Sequence, residues 1–268
     1  MKDMKVKGIE LTCGRPKVAV PLTGQTQEEI IKQCQAAIES HADILEWRAD
    51  YFLSGIENLE EKLNEDSVHI QIIRILDDID YVTGGMPVIF TIRSKSQGGR
   101  IALERKHIDD LSSLAAQSQL AAFVDVEIFD ENGKLDSVSL TEHVNELHSF
   151  GCKVIMSYHD FKSMPKAEEI ANLVNTMRDL DADIPKVAGY AHTKKDAVNM
   201  VKISQILTQG DNGPVILVGM GKNGIITRIF GGQYGSVITF ASAGEASAPG
   251  QIDAKTINRL LDEFYVKQ

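Results

Sequence analysis

Short apolar runs alternate with amphipathic stretches along nearly the whole chain. Eight of these runs have the length and composition of buried strands. They cover residues 17–21, 44–48, 87–92, 122–127, 153–158, 184–188, 215–218 and 236–240. A short segment before them, residues 6–12, predicts an extra strand or a hairpin.

Between most of these runs lie segments whose apolar residues recur at helical spacing. The predicted helices cover residues 26–40, 67–81, 104–117, 140–150, 167–180, 194–208 and 252–265. Several begin with residues that cap helix N-termini, such as Thr26 followed by Glu29. Only the link between the seventh and eighth strands, around residues 227–231, is too short for more than a turn or two of helix.

Strands that are regularly separated by helices pair in parallel through right-handed crossovers, and eight such units close a (β/α)8 barrel. We therefore predict an α/β TIM barrel whose N-terminal hairpin covers one end. A doubly wound open sheet remains an alternative, because a count of elements does not distinguish the two. The 268 residues contain no linker, repeat or low-complexity segment, so residues 1–268 are expected to form a single domain.

Charged residues occupy alternating positions within five successive strands, so they fall on one face of the sheet. In a barrel the other, apolar face packs against the helices, which leaves the charged side chains inside the barrel. The expected interior residues are Glu46, Arg48, Arg93, Asp125, Glu127, His159 and Lys186. A buried ion-pair network that only fixes strand register is the alternative interpretation. The position of most of these charges near the carboxyl ends of the strands, where barrel active sites lie, favours a functional site.

Lys186 and His159 carry the candidate chemistry. Inside the barrel the Lys186 amine would be desolvated and close to Arg48, Arg93 or His159, conditions that favour a free amine able to attack a carbonyl. The resulting imine is an electron sink that makes an adjacent C–H bond more acidic. His159, one strand away, is a credible general acid and base near neutral pH. The pattern predicts a metal-independent enzyme that forms an imine on Lys186 and transfers protons with His159.

Composition and net charge limit which partners and compartments the protein is expected to have. A net charge of −10 without any basic run argues against nucleic acid or an anionic membrane as partner. Three widely spaced cysteines fit a reducing compartment, and the lack of a membrane-length apolar window or secretory signal predicts a cytoplasmic protein. No metal-ligand spacing occurs on a single face, so we expect neither a metal nor a cofactor. The G-x-G-x-x-G motif at residues 219–224 predicts a tight turn, since no long helix and no acidic strand end follow it.

Several motifs together resemble the type I 3-dehydroquinate dehydratases, the Schiff-base enzymes of the shikimate pathway. They are D-I-L-E-W-R-A-D, S-Y-H-D-F, P-K-V-A, I-T-R-I-F-G-G-Q-Y-G-S and A-S-A-P-G-Q-I, in this order from about Pro16 to the C-terminus. The resemblance implies a (β/α)8 barrel, a homodimer, and a lyase that removes water from a ketone, converting 3-dehydroquinate to 3-dehydroshikimate and water. It also implies the third step in the biosynthesis of aromatic amino acids.

The same resemblance implies roles for individual residues. Lys186 matches the imine-forming lysine and His159 the general acid and base. The implied substrate contacts are Glu46, Arg48, Arg93, Arg228, Ser247 and Gln251. Arg228 would grip the substrate carboxylate through both oxygens, and Ser247 and Gln251 belong to a loop of small residues, 242–251, that is expected to close over the site. Gln97 departs from certain members, which carry a glutamate there to support the histidine.

Two other functions remain as alternatives. A Schiff-base aldolase on the same fold would need a phosphate cradle after the seventh and eighth strands, near Ser236 and Gly244. A barrel that only binds a small carboxylate would need no amine nucleophile.

Overall fold

The strands of the protein lie where the apolar runs predict them. The computed structural model describes residues 2–210, 212–244 and 247–265. Within these ranges the strands are β1 (Met4–Val6), β2 (Ile9–Leu11), β3 (Lys17–Leu22), β4 (Ile44–Arg48), β5 (Val88–Thr91), β6 (Phe123–Glu127), β7 (Lys153–Asp160), β8 (Ile184–Tyr190), β9 (Ile216–Met220) and β10 (Ile238–Phe240). The first two form an antiparallel hairpin and the other eight form one parallel sheet.

The parallel sheet closes on itself. Its strands follow the order β10-β3-β4-β5-β6-β7-β8-β9, so β9 and β10 are the two ends that must meet. Beside these strands Val215 pairs with Ser236 in a parallel bridge, and the Val237 N–H donates to the Val215 carbonyl at 3.0 Å. The (β/α)8 barrel is therefore confirmed, and the open-sheet alternative is wrong because its end strands would not meet.

The helices form the outer layer. They are α1 (Gln27–Glu39), α2 (Ala49–Ser54), α3 (Leu59–Leu63), α4 (Asp66–Thr83), α5 (Arg105–Gln117), α6 (Ser137–Ser149), α7 (Ala167–Asp179), α8 (Lys194–Leu207), α9 (Ile225–Phe230) and α10 (Ala254–Tyr265). All seven predicted helices are present, but α6 begins earlier than predicted because the Asp136 side chain caps it by accepting from the Ser139 N–H. The sequence interpretation missed α2 and α3, which are too short to show a helical period. Among the described residues, no helix is both long and apolar enough to cross a membrane.

Two separate apolar clusters follow from the alternation along the strands. Leu45, Trp47 and Phe90 lie in the outer cluster, between the sheet and the helices. Ile44 and Ile89 belong to an inner cluster that fills the amino-terminal part of the barrel. The hairpin contributes the fully buried Leu11 to this inner cluster, so it covers the amino-terminal end of the barrel as predicted.

Two residues further along each of the strands β4 to β8, the interior becomes polar. The apolar and polar interior residues succeed one another as Ile44 and Glu46, Ile89 and Thr91, Phe123 and Asp125, Ile155 and Ser157, and Ile184 and Lys186. Because successive interior residues lie about 7 Å apart along a strand, the apolar layer forms a floor. The charged layer rests on it, facing the carboxyl-terminal mouth of the barrel.

Candidate active site

Lys186 of β8 lies in the charged layer with 4% of its surface exposed. Its ammonium Nζ donates to Asp125 Oδ2 at 3.0 Å and to Glu46 Oε1 at 3.4 Å. It also lies 4.3 Å from the centre of the Phe240 ring. The sequence predicted a desolvated amine close to Arg48, Arg93 or His159, and these residues line the same cavity, but it did not predict the carboxylates that β4 and β6 direct across the barrel toward the amine. These carboxylates compensate the buried charge, so the amine must give up a proton before it attacks a carbonyl.

Arg93 links the carboxylates of β6 to β7. Its Nη1 donates to Glu127 Oε1 at 3.0 Å and to Ser157 Oγ at 2.7 Å, and its Nη2 pairs with Asp125 Oδ2 at 2.8 Å. Burial acts to raise the pKa of Asp125, but the charges of Arg93 and Lys186 outweigh it and hold the pKa well below its usual range. Asp125 is thus a permanent anion at the centre of the barrel.

His159 of β7 faces the same cavity and is neutral at physiological pH. Burial lowers its pKa well below 6.5, and the positive charges of Arg93 and Lys186 lower it further. A neutral imidazole can accept a proton, as a general base must. On one side its ring stacks with Phe161, at 6.4 Å between centroids, and its Nδ1 lies 3.3 Å from Gln97 Oε1.

Arg48 is held by an acid that the sequence interpretation did not single out. Arg48 Nε and Nη2 donate to the two carboxylate oxygens of Asp50, at 2.7 and 2.9 Å. The fully buried Asp50 also accepts from the backbone N–H groups of Arg93 and Arg100. A signal was present, because Asp50 follows Arg48 by two residues at the end of a charged strand. It was missed because Asp50 lies in α2, where the alternation of the strand no longer applies.

Arg228 of α9 is a buried cation whose hydrogen-bond partners are carbonyls. Nη1 donates to the Phe240 carbonyl at 3.0 Å and Nη2 to the Pro249 carbonyl at 3.4 Å. Among the described residues no carboxylate forms an ion pair with it, and its buried Nε has no partner. Burial lowers the pKa of Arg228 to about 10, so it stays charged at neutral pH. A buried guanidinium in this state is an anion-binding group.

The loop after β10 approaches Arg228 from above. Ser247 and Gln251 bond to each other: the Ser247 N–H donates to Gln251 Oε1 at 2.8 Å, and Gln251 Nε2 donates to Ser247 Oγ at 2.9 Å. The Gly221 N–H donates to the Pro249 carbonyl at 3.1 Å, and Gly250 crosses the backbone of Gly221 so closely that a Cβ would lie 2.5 Å from the Gly221 oxygen. This contact gives the glycine-rich turn at 219–224 a packing role. Residues 245 and 246 of the predicted loop lie outside the described residues.

One cavity at the mouth of the barrel brings the predicted site residues together. Its lining includes Glu46, Arg48, Arg93, His159, Lys186, Arg228, Ser247 and Gln251. Gln97 and Phe161 also line it, while Val218, Met220 and Phe240 form an apolar wall. The arrangement combines an amine nucleophile, a neutral imidazole and a buried guanidinium, which suits imine chemistry on a small anionic ketone.

Comparison with known proteins agrees with this geometry. A family model described as type I 3-dehydroquinase matches residues 18–268. The chain is 33% identical over 258 residues to the 3-dehydroquinate dehydratase of Klebsiella pneumoniae, covering 96% of each protein. It is 32% identical over 262 residues to the 3-dehydroquinate dehydratase of Clostridioides difficile, covering 97% of this chain and 96% of that relative.

Solved structures show the same fold. The type I 3-dehydroquinate dehydratase of Clostridium difficile, solved with covalently modified comenic acid, has a TM-score of 0.87 and 31% identity and is covered over 100% of both chains. The 3-dehydroquinate dehydratase of Geobacillus kaustophilus has a TM-score of 0.86 at 24% identity, covering 98% of this chain and 96% of that one. Because the family model and the relatives match along nearly the full length, the chain belongs to the type I 3-dehydroquinase family.

Proposed function

We propose that this protein dehydrates 3-dehydroquinate to 3-dehydroshikimate through an imine on Lys186, the third step of the shikimate pathway. The observation that carries the proposal is the cavity itself. Lys186 and His159 come from adjacent strands and line it together with Arg228, a buried cation whose hydrogen-bond partners among the described residues are carbonyls. A ketone that also carries a carboxylate fits these three groups.

The first half of the reaction forms the imine. Arg228 binds the substrate carboxylate, which places the ketone next to Lys186. Neutral His159 accepts a proton from the Lys186 ammonium, and the freed nitrogen attacks the carbonyl carbon, so that a C–N bond forms and the C=O double bond becomes single. His159 passes that proton, and then a second one from the same nitrogen, to the former ketone oxygen, which leaves as water while the C=N bond forms. Asp125, 3.0 Å from the lysine nitrogen, compensates the positive charge of the protonated imine.

The second half of the reaction is the elimination. His159 removes a proton from the carbon beside the imine, and the electrons of the broken C–H bond collect as an enamine. The protonated imidazole returns that proton to the hydroxyl on the next carbon, so the C–O bond breaks and water leaves. Hydrolysis of the product imine frees Lys186. Glu46, Arg48 and Arg93 are proposed to hold the substrate hydroxyls, and Ser247 and Gln251 to close over them.

The direct test combines turnover with trapping. Incubation with 3-dehydroquinate is followed by the absorbance of the conjugated enone, and borohydride is added to a parallel sample to reduce the imine. We expect one adduct, on the peptide that contains Lys186, and complete loss of both signals in Lys186→Met. Lys195→Met, at an exposed lysine of α8, is the matched control and should behave as wild type. An adduct on another lysine, or turnover without any adduct, would overturn the imine mechanism.

The two alternative functions receive less support. An aldolase acting on sugar phosphates would need a phosphate cradle near Ser236, but this serine is buried and its Oγ accepts from the Leu217 N–H at 3.0 Å. A carboxylate-binding scaffold would gain nothing from a nucleophilic amine beside a neutral imidazole. The turnover assay separates all three functions.

We also propose that residues 1–268 act as one catalytic domain, within a cytoplasmic homodimer that binds neither nucleic acid nor membranes. The match to relatives along the whole chain supports one domain. The three free cysteines support a reducing compartment. Sedimentation at several protein concentrations tests the dimer, and a single species with the mass of one chain would refute it.

A further inference from the structure

The amide of Gln97 lies between His159 and Glu127. Gln97 Oε1 accepts from the backbone N–H of His159 at 2.9 Å and lies 3.3 Å from the imidazole Nδ1. On its other side, Gln97 Nε2 donates to Glu127 Oε2 at 3.0 Å. Gln97 is buried, so these contacts replace water as its hydrogen-bond partners.

The orientation of the Gln97 amide is determined by two hydrogen-bond partners, one that can only donate and one that can only accept. The backbone N–H of His159 is a donor only, and the Glu127 carboxylate is an acceptor only. Turning the amide over would place donor against donor on one side and acceptor against acceptor on the other. Glu127 is itself held in place, because its Oε1 accepts from Arg93 Nη1 at 3.0 Å and from the Ser94 N–H at 2.9 Å. The carbonyl oxygen of the Gln97 amide therefore faces His159.

We infer that Gln97, oriented by Glu127, is a positioning residue that fixes neutral His159 in the tautomer with hydrogen on Nδ1. An amide oxygen accepts hydrogen bonds and donates none, so the nitrogen facing it must carry the hydrogen. The lone pair is then on Nε2, for which no described residue is a hydrogen-bond partner. His159 is in this way prepared to act as a base through Nε2. The kinetic consequence of this inference rests on the proposed function, but the tautomer itself does not.

An amide at this position accepts from His159 without adding a charge beside Glu127. The charged groups around His159 are Arg48 from β4, Arg93 beyond β5, Asp125 from β6 and Lys186 from β8. Glu127 of β6 lies behind Gln97. A carboxylate at position 97 would stand about 3 Å from that of Glu127, so one of the two acids would have to keep a proton. Gln97 supplies the required acceptor without adding charge.

The tautomer is measured directly by nitrogen NMR on the full chain labelled with [15N]histidine. The His159 signals are assigned by their loss in His159→Asn, and the spectra are recorded at about pH 8, above the ordinary imidazole pKa. We expect a protonated, pyrrole-type signal for Nδ1 and an unprotonated, pyridine-type signal for Nε2. A wild-type spectrum with hydrogen on Nε2 would overturn the inference. Because this measurement uses the wild-type protein, it does not depend on whether a variant folds.

Two variants test how the tautomer is fixed. Gln97→Met removes the acceptor and should give a mixture of tautomers. Glu127→Gln tests the orientation of the Gln97 amide without changing a residue that touches the imidazole ring. An amide at position 127 can both donate and accept, so it no longer holds the Gln97 amide in one orientation. Part of the His159 hydrogen should then shift from Nδ1 to Nε2. Gln205→Met, at an exposed position of α8, makes the same change as the first variant and should leave the spectrum unchanged. Wild-type spectra in both cavity variants would refute the mechanism.

Kinetics then connect the tautomer to the reaction. In Gln97→Met we expect kcat to fall about 10-fold or more, a part of the usual contribution of a general base, while borohydride traps the imine as efficiently as in wild type. Equal loss of trapping and turnover would instead indicate general damage to the site. If wild type shows hydrogen on Nδ1 but no dehydratase activity, the proposed function fails and the tautomer assignment stands.

Discussion

Substitution of Arg228 by methionine should separate substrate binding from folding. The guanidinium is buried and, among the described residues, bonds only to carbonyls, and burial lowers its pKa from the ordinary arginine value to about 10. That difference corresponds to roughly 3 kcal/mol by which burial disfavours the charge. Because this is a base with a lowered pKa, the cost is fully present at neutral pH, begins to decline as the pH rises above about 10, and vanishes only above the ordinary pKa of arginine.

Arg228→Met changes the free energy of unfolding through two opposing contributions, and it changes kcat/KM through a third. Arg228→Met removes the charge cost of roughly 3 kcal/mol, but it also removes hydrogen bonds to two carbonyls, each contributing about 1.5–3 kcal/mol with a charged donor. These nearly cancel, so the free energy of unfolding should change by no more than about 3 kcal/mol. Loss of a buried charge pair with the substrate carboxylate costs about 2–5 kcal/mol. kcat/KM should therefore fall by roughly 30-fold to several thousand-fold.

The assay pairs urea denaturation with enone kinetics. Arg178→Met is the matched control, because Arg178 is also a partly buried arginine that donates to two carbonyls, those of Leu207 and Gly213, away from the cavity. The control should keep wild-type kcat/KM. The reasoning is refuted if Arg228→Met keeps wild-type kcat/KM, or if it unfolds far more easily than the control, which would make Arg228 a structural residue.

The remaining predictions concern the base and the loop. His159→Ala should slow elimination by about 10²-fold or more while borohydride still traps an imine on Lys186; turnover near the wild-type rate would mean that another group moves the protons. The pKa of His159 lies well below 6.5 and its neutral form is the base. In a pH–rate profile, kcat/KM should therefore stay high as the pH falls through 6.5 and decline only at lower pH. A decline centred above pH 6.5 would contradict this prediction. Amides of residues 243–251 should exchange quickly in free enzyme and slowly with product bound. Gly250→Ala should weaken that protection because its Cβ would meet the Gly221 backbone. Equal exchange in both states would show that the loop is not a lid.

Local sequence patterns were sufficient for the strands, most helices and the inward-facing residues. The alternation of Ile44, Leu45 and Glu46 assigns each residue to a face, because successive side chains of a strand point to opposite sides wherever the strand lies. The same rule placed Lys186 and His159 inside the barrel before any contact was known. Short helices such as α2 could not be recognised, since six residues make less than two turns of an α-helix.

Distances across the barrel could not be predicted in this way. They depend on strand register, on the closure of β9 against β10 and on the tilt of the strands, which are set by all eight strands together. For this reason the sequence did not predict that Glu46 and Asp125, from strands distant in the chain, would be the hydrogen-bond partners of Lys186. The direction of the Gln97 amide is likewise decided by the backbone of β7 and a carboxylate of β6, because a side-chain orientation is the result of contacts that exist only after the barrel has closed.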